Sequence, residues 1–123
     1  MVEAKIIRKG SQVFLYDTLN EPITVLDNVN GEITLKLKRA VKTNADELFP
    51  VPLTDENIIK CGFFKTDSYV YEHPVERVEL EIDHAGITHM YVHNHKTTVS
   101  LKALHELQHA FWLYTSKELN YTK

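Results

Sequence analysis

Residues 78–83, VELEID, constrain this chain more than any other stretch. Val78, Leu80 and Ile82 alternate with Glu79, Glu81 and Asp83. That period of two puts the apolar side chains on one face of a strand and the carboxylates on the other. Such a strand belongs to a sheet with one wet face, and its dry face must be covered. The cover is expected at the C-terminus, where Ser100 is placed to cap a helix running from Leu101 to about Thr115. Val99 and Leu104 are its staple pair, and Leu104, Leu107, Phe111 and Tyr114 form its apolar stripe.

The rest of the chain is consistent with that pairing of sheet and helix. Residues 12–16 and 23–26 are crowded with β-branched and aromatic side chains, and Ile33, Leu35 and Leu37 alternate with Thr34, Lys36 and Lys38. Asn30-Gly31 is a strong hairpin signal. A two-residue turn there would set Leu26 against Leu35 and put Ile23 and Val25 on the lysine face. A three-residue loop, Val29-Asn30-Gly31 with Gly31 left-handed, pairs Val25 with Leu35 and Ile23 with Leu37, and this register is expected because it keeps the apolar side chains inside. Residues 42–51 show no periodicity and form the longest expected loop. A short helix follows, with Thr54 as N-cap, Asp55 and Glu56 at its positive end, a Leu53/Ile58 staple and Gly62 at C′. Residues 63–71 are strand-like but interrupted. Residues 89–95 place His89, Tyr91, His93 and His95 on one face and Met90 and Val92 on the other. No βαβ crossover is repeated, so the class is α+β: a mostly antiparallel sheet with one short central helix and a longer C-terminal helix packed on it.

At 123 residues this is one domain, 1–123, able to bury a core without disulfide or metal. Its single cysteine, Cys61, fits a reducing compartment, and the start carries no apolar secretory stretch. No span reaches about 18 apolar residues, so no membrane contact is expected. A net charge of −3 argues against a broad grip on nucleic acid.

Residues 105–109, HELQH, fit the zinc-peptidase signature H-E-x-x-H. Histidines four apart lie about 40° from each other around a helix, so both can reach one Zn²⁺ while the glutamate activates its water. A third ligand is missing downstream: fourteen residues follow His109, and Glu118 is their sole carboxylate or imidazole. The upstream strand offers His93 and His95, two apart on one face, as partners for His105 and His109. Two charged stripes are the other candidates. Lys36, Lys38, Arg39 and Lys42 form a basic one, and Glu79, Glu81 and Asp83 an acidic one. Carboxylates alternating along a strand stand about 6.5–7 Å apart, near the spacing of nucleic-acid phosphates.

Two blocks, VPLTDENIIKCGF (51–63) and LHELQHAFWLYTSKEL (104–119), resemble a group of small uncharacterised proteins of bacterial prophages and mobile elements. Its members read approximately I-P-L-T-E-E-x-L-L-K-x-G-F and V-H-Q-L-Q-N-L-Y-F-A-L-T-G-E-E-L. The blocks cover about a quarter of the chain. The pattern has Gln where Glu106 stands and Asn where His109 stands, which counts against a zinc enzyme. The resemblance implies a cytoplasmic protein of a bacterial host cell and a non-enzymatic binding role. That role would be as a stoichiometric inhibitor of a CRISPR effector or other defence nuclease. The charged stripes, read from the residues themselves, supply the expected contacts: Glu79, Glu81 and Asp83 first, with Lys36, Lys38 and Arg39 as the second choice, which would add contact to bound RNA. No cofactor is expected. The alternative is a zinc-binding protein or zinc metallopeptidase using His105 and His109 with His93 or His95.

Overall fold

The structure, a computed structural model, describes residues 6–15, 22–37 and 40–122. The α+β class is realised with the strands divided between two five-stranded antiparallel sheets. Sheet one contains β1 (Gln12–Leu15), β2 (Ile23–Val29), β3 (Glu32–Lys36), β4 (Ala40–Thr43) and β5 (Leu48–Pro50), in the order β4-β3-β2-β1-β5. Sheet two is a meander of β6 (Phe64–Asp67), β7 (Val70–Glu72), β8 (Val78–Ile82), β9 (Thr88–Val92) and β10 (His95–Leu101). Two helices, α1 (Asp55–Lys60) and α2 (Leu104–Thr115), complete the described elements. Neither is long and apolar enough to cross a membrane.

The first hairpin corrects one expectation and keeps its consequence. Val25 does pair with Leu35, but through a two-residue turn flanked by Val29 and Glu32, with Asn30 and Gly31 both left-handed at φ 51° and 88°. That is the twist a tight hairpin prefers, and Asn and Gly tolerate it best. An irregularity between Val25 and Asp27 absorbs the extra residue and returns Val25 to the core side. Ile23 pairs with Val13 of β1, and β3 ends before Leu37. The segment 42–51 is no loop. It completes β4, makes one 3₁₀ turn at Ala45–Glu47, and adds β5 to the far side of β1. Only Leu48 is fully buried in β5, so so short a strand shows no period.

In α1 the local signals act as expected. Thr54 accepts a hydrogen bond from the Asn57 amide at 3.2 Å, and Gly62 follows the C-cap Cys61. The expected strand 63–71 is instead the β6–β7 hairpin. Helix α2 begins three residues later than its sequence implies. Ser100 and Leu101 belong to β10, paired with His89 and Thr88, and Ala103 is the N-cap residue. Ladder pairing already satisfies the backbone at Ser100, so no cap is needed there. The last turn also departs from the stripe: Leu104, Leu107 and Phe111 are buried, whereas Tyr114 is 44% exposed.

Helix α2 and α1 cover the inner face of sheet two. Leu104, Leu107 and Phe111 join Ile58, Tyr71, Leu80 and Met90 in the larger apolar cluster. Sheet one carries its own smaller cluster, including Val13, Val25, Ile33, Leu35 and Leu48. Gln108, in the middle of α2, connects the two halves. Its Oε1 accepts from the Gln12 amide at 2.8 Å, and its Nε2 donates to the Gly10 carbonyl at 2.8 Å and the Leu119 carbonyl at 3.2 Å. Those carbonyl and amide groups are exposed to the helix because Gly10 and Ser11 form a bulge opposite Val25. The Gly10 amide donates to the Val25 carbonyl, the Val25 amide donates back to Ser11, and Gly10 sits at φ 92°. Substituting Gln108→Leu keeps the volume but strands the buried Gln12 amide. Urea melts should show a loss of about 2–4 kcal/mol. A wild-type midpoint would mean that the two halves are held together some other way.

Candidate functional site

In α2 three residues of HELQH, Glu106, Leu107 and Gln108, are engaged in the fold, whereas the buried Nδ1 atoms of His105 and His109 have no hydrogen-bond partner among the described residues. His105 is buried and Leu107 lies in the core. Burial pushes both His105 and His109 below the ordinary imidazole value, with the Arg8 guanidinium adding to the effect at His109. Glu106 accepts from the Lys102 and Ala103 amides, both at 2.9 Å, closing the helix's first turn. A carboxylate so engaged is a cap, the role the sequence assigned to Ser100. The histidine face of 89–95 is broken as well. His93 and Asn94 form a two-residue turn, at φ 52° and 67°, between Val92 and His95. His93 and His95 therefore do not lie on one face of one strand, as their spacing implied. Among the described residues, no group of three or more His, Cys, Asp or Glu side chains is placed to hold a metal ion. Glu106→Ala should lower the stability of the protein by about 1–2 kcal/mol, read by thermal or urea melting, because two helix-start amides lose their acceptor. An unaltered melt would remove the capping role.

Helices cover one face of sheet two and leave the other open. Register defines a row straight across this open face: Phe64 stands opposite Glu72, Glu72 opposite Glu79, Glu79 opposite Tyr91, and Tyr91 opposite Lys96. Directly opposed residues in antiparallel strands project to the same side, with Cβ atoms about 4.5–5.5 Å apart. The next row sets Val70, Glu81 and His89 side by side. Glu72, Glu79 and Glu81 thus form one acidic patch framed by two rings. Partial burial, then the charges of Glu72 and Glu81, raise the Glu79 carboxyl above its ordinary value.

Asp83, expected as the third rung of the ladder, is used internally. Its Oδ1 accepts from the Ala85 and Ile87 amides at 2.9 and 3.0 Å, and its Oδ2 meets His89 Nε2 at 2.6 Å. The His89 contact and the amides hold its carboxyl below the usual carboxylate range. Strand β8 ends at Ile82, and Asp83 turns to close the loop to β9. An open cleft of about 730 Å³ lies at this end, with Asp67, Tyr69, Glu81 and His84 among its walls. Lys36 and Lys42, the described members of the basic stripe, belong to sheet one. Lys36 is exposed, and Lys42 meets Glu32 at 3.4 Å. Lys38 and Arg39 lie outside the described residues.

No protein-family model, curated protein or solved structure matches this chain. Its chemistry is therefore carried by its own geometry. Glu72, Phe64 and Tyr91 are the members of the face that sequence reasoning missed. Tyr91 was on the correct face of its strand, but only the register of β6 against β7, and of β7 against β8, brings Phe64 and Glu72 beside Glu79.

Raised carboxyl pKa values carry a defined sign. The folded form holds the Glu79 proton more tightly than the unfolded chain does. That stabilising contribution is complete below the unfolded value and is lost as pH rises through the folded one. Glu79→Gln should therefore melt higher than the wild type at pH 7 and show no such gain near pH 4. Thermal melts at the two pH values check this, and equal melting at pH 7 would mean that the acidic cluster costs the fold nothing.

Proposed function

We propose that this protein is a non-enzymatic binding protein that acts by stoichiometric docking of its acidic sheet face on a basic, nucleic-acid-binding surface of a bacterial protein. The single observation that carries this reading is the cluster of Glu72, Glu79 and Glu81 on an open face, where none has an ion-pair partner among the described residues. Unneutralised like charges on one face weaken the fold, and a cationic partner relieves them. Within the cluster Glu79 and Glu81, alternating along one strand, stand about 6.5–7 Å apart, near the spacing of phosphates along a nucleic-acid backbone. The resemblance of 51–63 and 104–119 to prophage and mobile-element proteins supplies the setting. A defence nuclease of the CRISPR effector kind is the partner class that combines such a setting with a basic nucleic-acid channel. The engagement of Glu106 as a helix cap supports a role without hydrolysis.

The test is inhibition of a purified effector nuclease, titrated with this protein. A 1:1 end point is expected. Reversing Glu72, Glu79 and Glu81 to Lys should abolish inhibition while leaving the melting temperature at or near the wild-type value. Asp83 is excluded from that set because its loss would open the 83–87 turn. If the reversed protein still inhibits and Lys36→Glu does not, the contact lies on sheet one and involves bound RNA. If no nuclease is inhibited and the lone chain turns over a small substrate, the protein is an enzyme.

A further inference from the structure

Resting on that reading of the acidic face, we infer that the face selects arginine over lysine, seating two guanidinium groups of a protein partner. One seat lies between Phe64 and Glu72 and the other between Glu79 and Tyr91. Each seat pairs an aromatic ring with a carboxylate across one strand gap, and the seats are two strand spacings apart, about 10 Å. A guanidinium is planar, meets a carboxylate through two parallel N–H donors, and stacks on a ring with the same flat surface. An ammonium has neither the fork nor the plane.

The molecule already contains this arrangement in closed form. The Arg8 guanidinium lies 3.9 Å from the centre of the Trp112 ring and pairs with Glu118. Its lysines approach rings less closely: Lys65 stands 5.8 Å from Tyr71 and Lys60 5.9 Å from Tyr121. Other carboxylates are served within the chain. Glu32 meets Lys42, Asp55 meets Lys65, Glu56 meets Lys60, and Asp83 meets His89. Among the described residues, Glu72 and Glu79 stand beside rings with no such cation paired to them. Phe64 is 46% exposed and Tyr91 partly so, which leaves ring surface available for stacking. Lys96, opposite Tyr91, marks the end of the row and keeps the second seat on the Glu79 side of the ring. A 10 Å separation matches side chains two turns apart on a helix, at i and i+7.

Two helical peptides test this, identical except that one carries arginine and the other lysine at i and i+7. Binding to the full protein is measured calorimetrically at about 0.15 M salt. The arginine peptide is expected to bind about ten-fold tighter. Phe64→Leu and Tyr91→Leu should each remove part of that preference, the double variant should bring the arginine peptide down to the lysine level, and Glu79→Gln should weaken both peptides. Melting curves of each variant confirm folding. Equal affinities for the two peptides, or an arginine preference that survives the Phe64→Leu/Tyr91→Leu double variant, would overturn the seats and leave the basic-partner reading standing. Failure of both peptides to bind would overturn the seats and count against that reading as well.

Discussion

One side-chain amide connects the two halves of this protein. Gln108 bonds to the Gly10 carbonyl and the Gln12 amide, the two groups that a neighbouring strand would otherwise take up. A helix cannot offer its backbone sideways to a sheet, because its own ladder has consumed it. A glutamine can, since its side chain reproduces one donor and one acceptor at peptide geometry. The same amide reaches Leu119 and thereby holds the C-terminal segment against α2. From this clamp follows the arrangement of the rest. Once α2 is tied to β1, its Leu104, Leu107 and Phe111 lie on the inner face of sheet two, and the opposite face of that sheet is left open.

Short contacts around α1 stiffen the covered face. Asp55, at the start of α1, accepts from the Tyr71 hydroxyl and pairs with Lys65 at 3.1 Å. These partners hold its carboxyl low, while burial and the bond to Asp55 push the Tyr71 hydroxyl up to about 12. Burial alone raises the Cys61 thiol to about 12, so it stays protonated and unreactive at neutral pH. Asp55, Tyr71 and Cys61 on the covered side are thus committed to structure. Glu72, Glu79 and Glu81 on the open side have no ion-pair partner among the described residues, and this contrast separates the two faces of one five-stranded sheet.

Much of the architecture was legible along the chain because its causes are local. Thr54, Asp55 and Gly62 mark the ends of α1 within a few residues of the groups they serve. The alternation of Val78, Leu80 and Ile82 with Glu79 and Glu81 assigns two faces without reference to any other strand. The misplacements have different causes. Asn30-Gly31 closes as a two-residue turn because a bulge near Leu26 repairs the register. Ser100 joins β10 because Thr88 and His89 are there to pair with it. At Ser100 a partner distant in sequence overrides a local preference, whereas at Asn30-Gly31 the local turn preference holds and the bulge absorbs the misfit.

The sequence by itself determined the α+β class, the helix start at Thr54, the burial of Leu107 and Phe111, and the outward carboxylates of β8. Periodicity and capping are properties of a few consecutive residues. Only the tertiary structure decided what HELQH does and which acids share a surface. Glu106 is a cap and Gln108 a clamp because β10 ends beside Pro52 and the bulge at Gly10 faces the helix. Glu72 joins Glu79, and Asp83 leaves it, because cross-strand register and the 83–87 turn place them so. Hydrogen-bond pairing between strands is non-local, and no pattern within one strand encodes the side chain that will stand opposite.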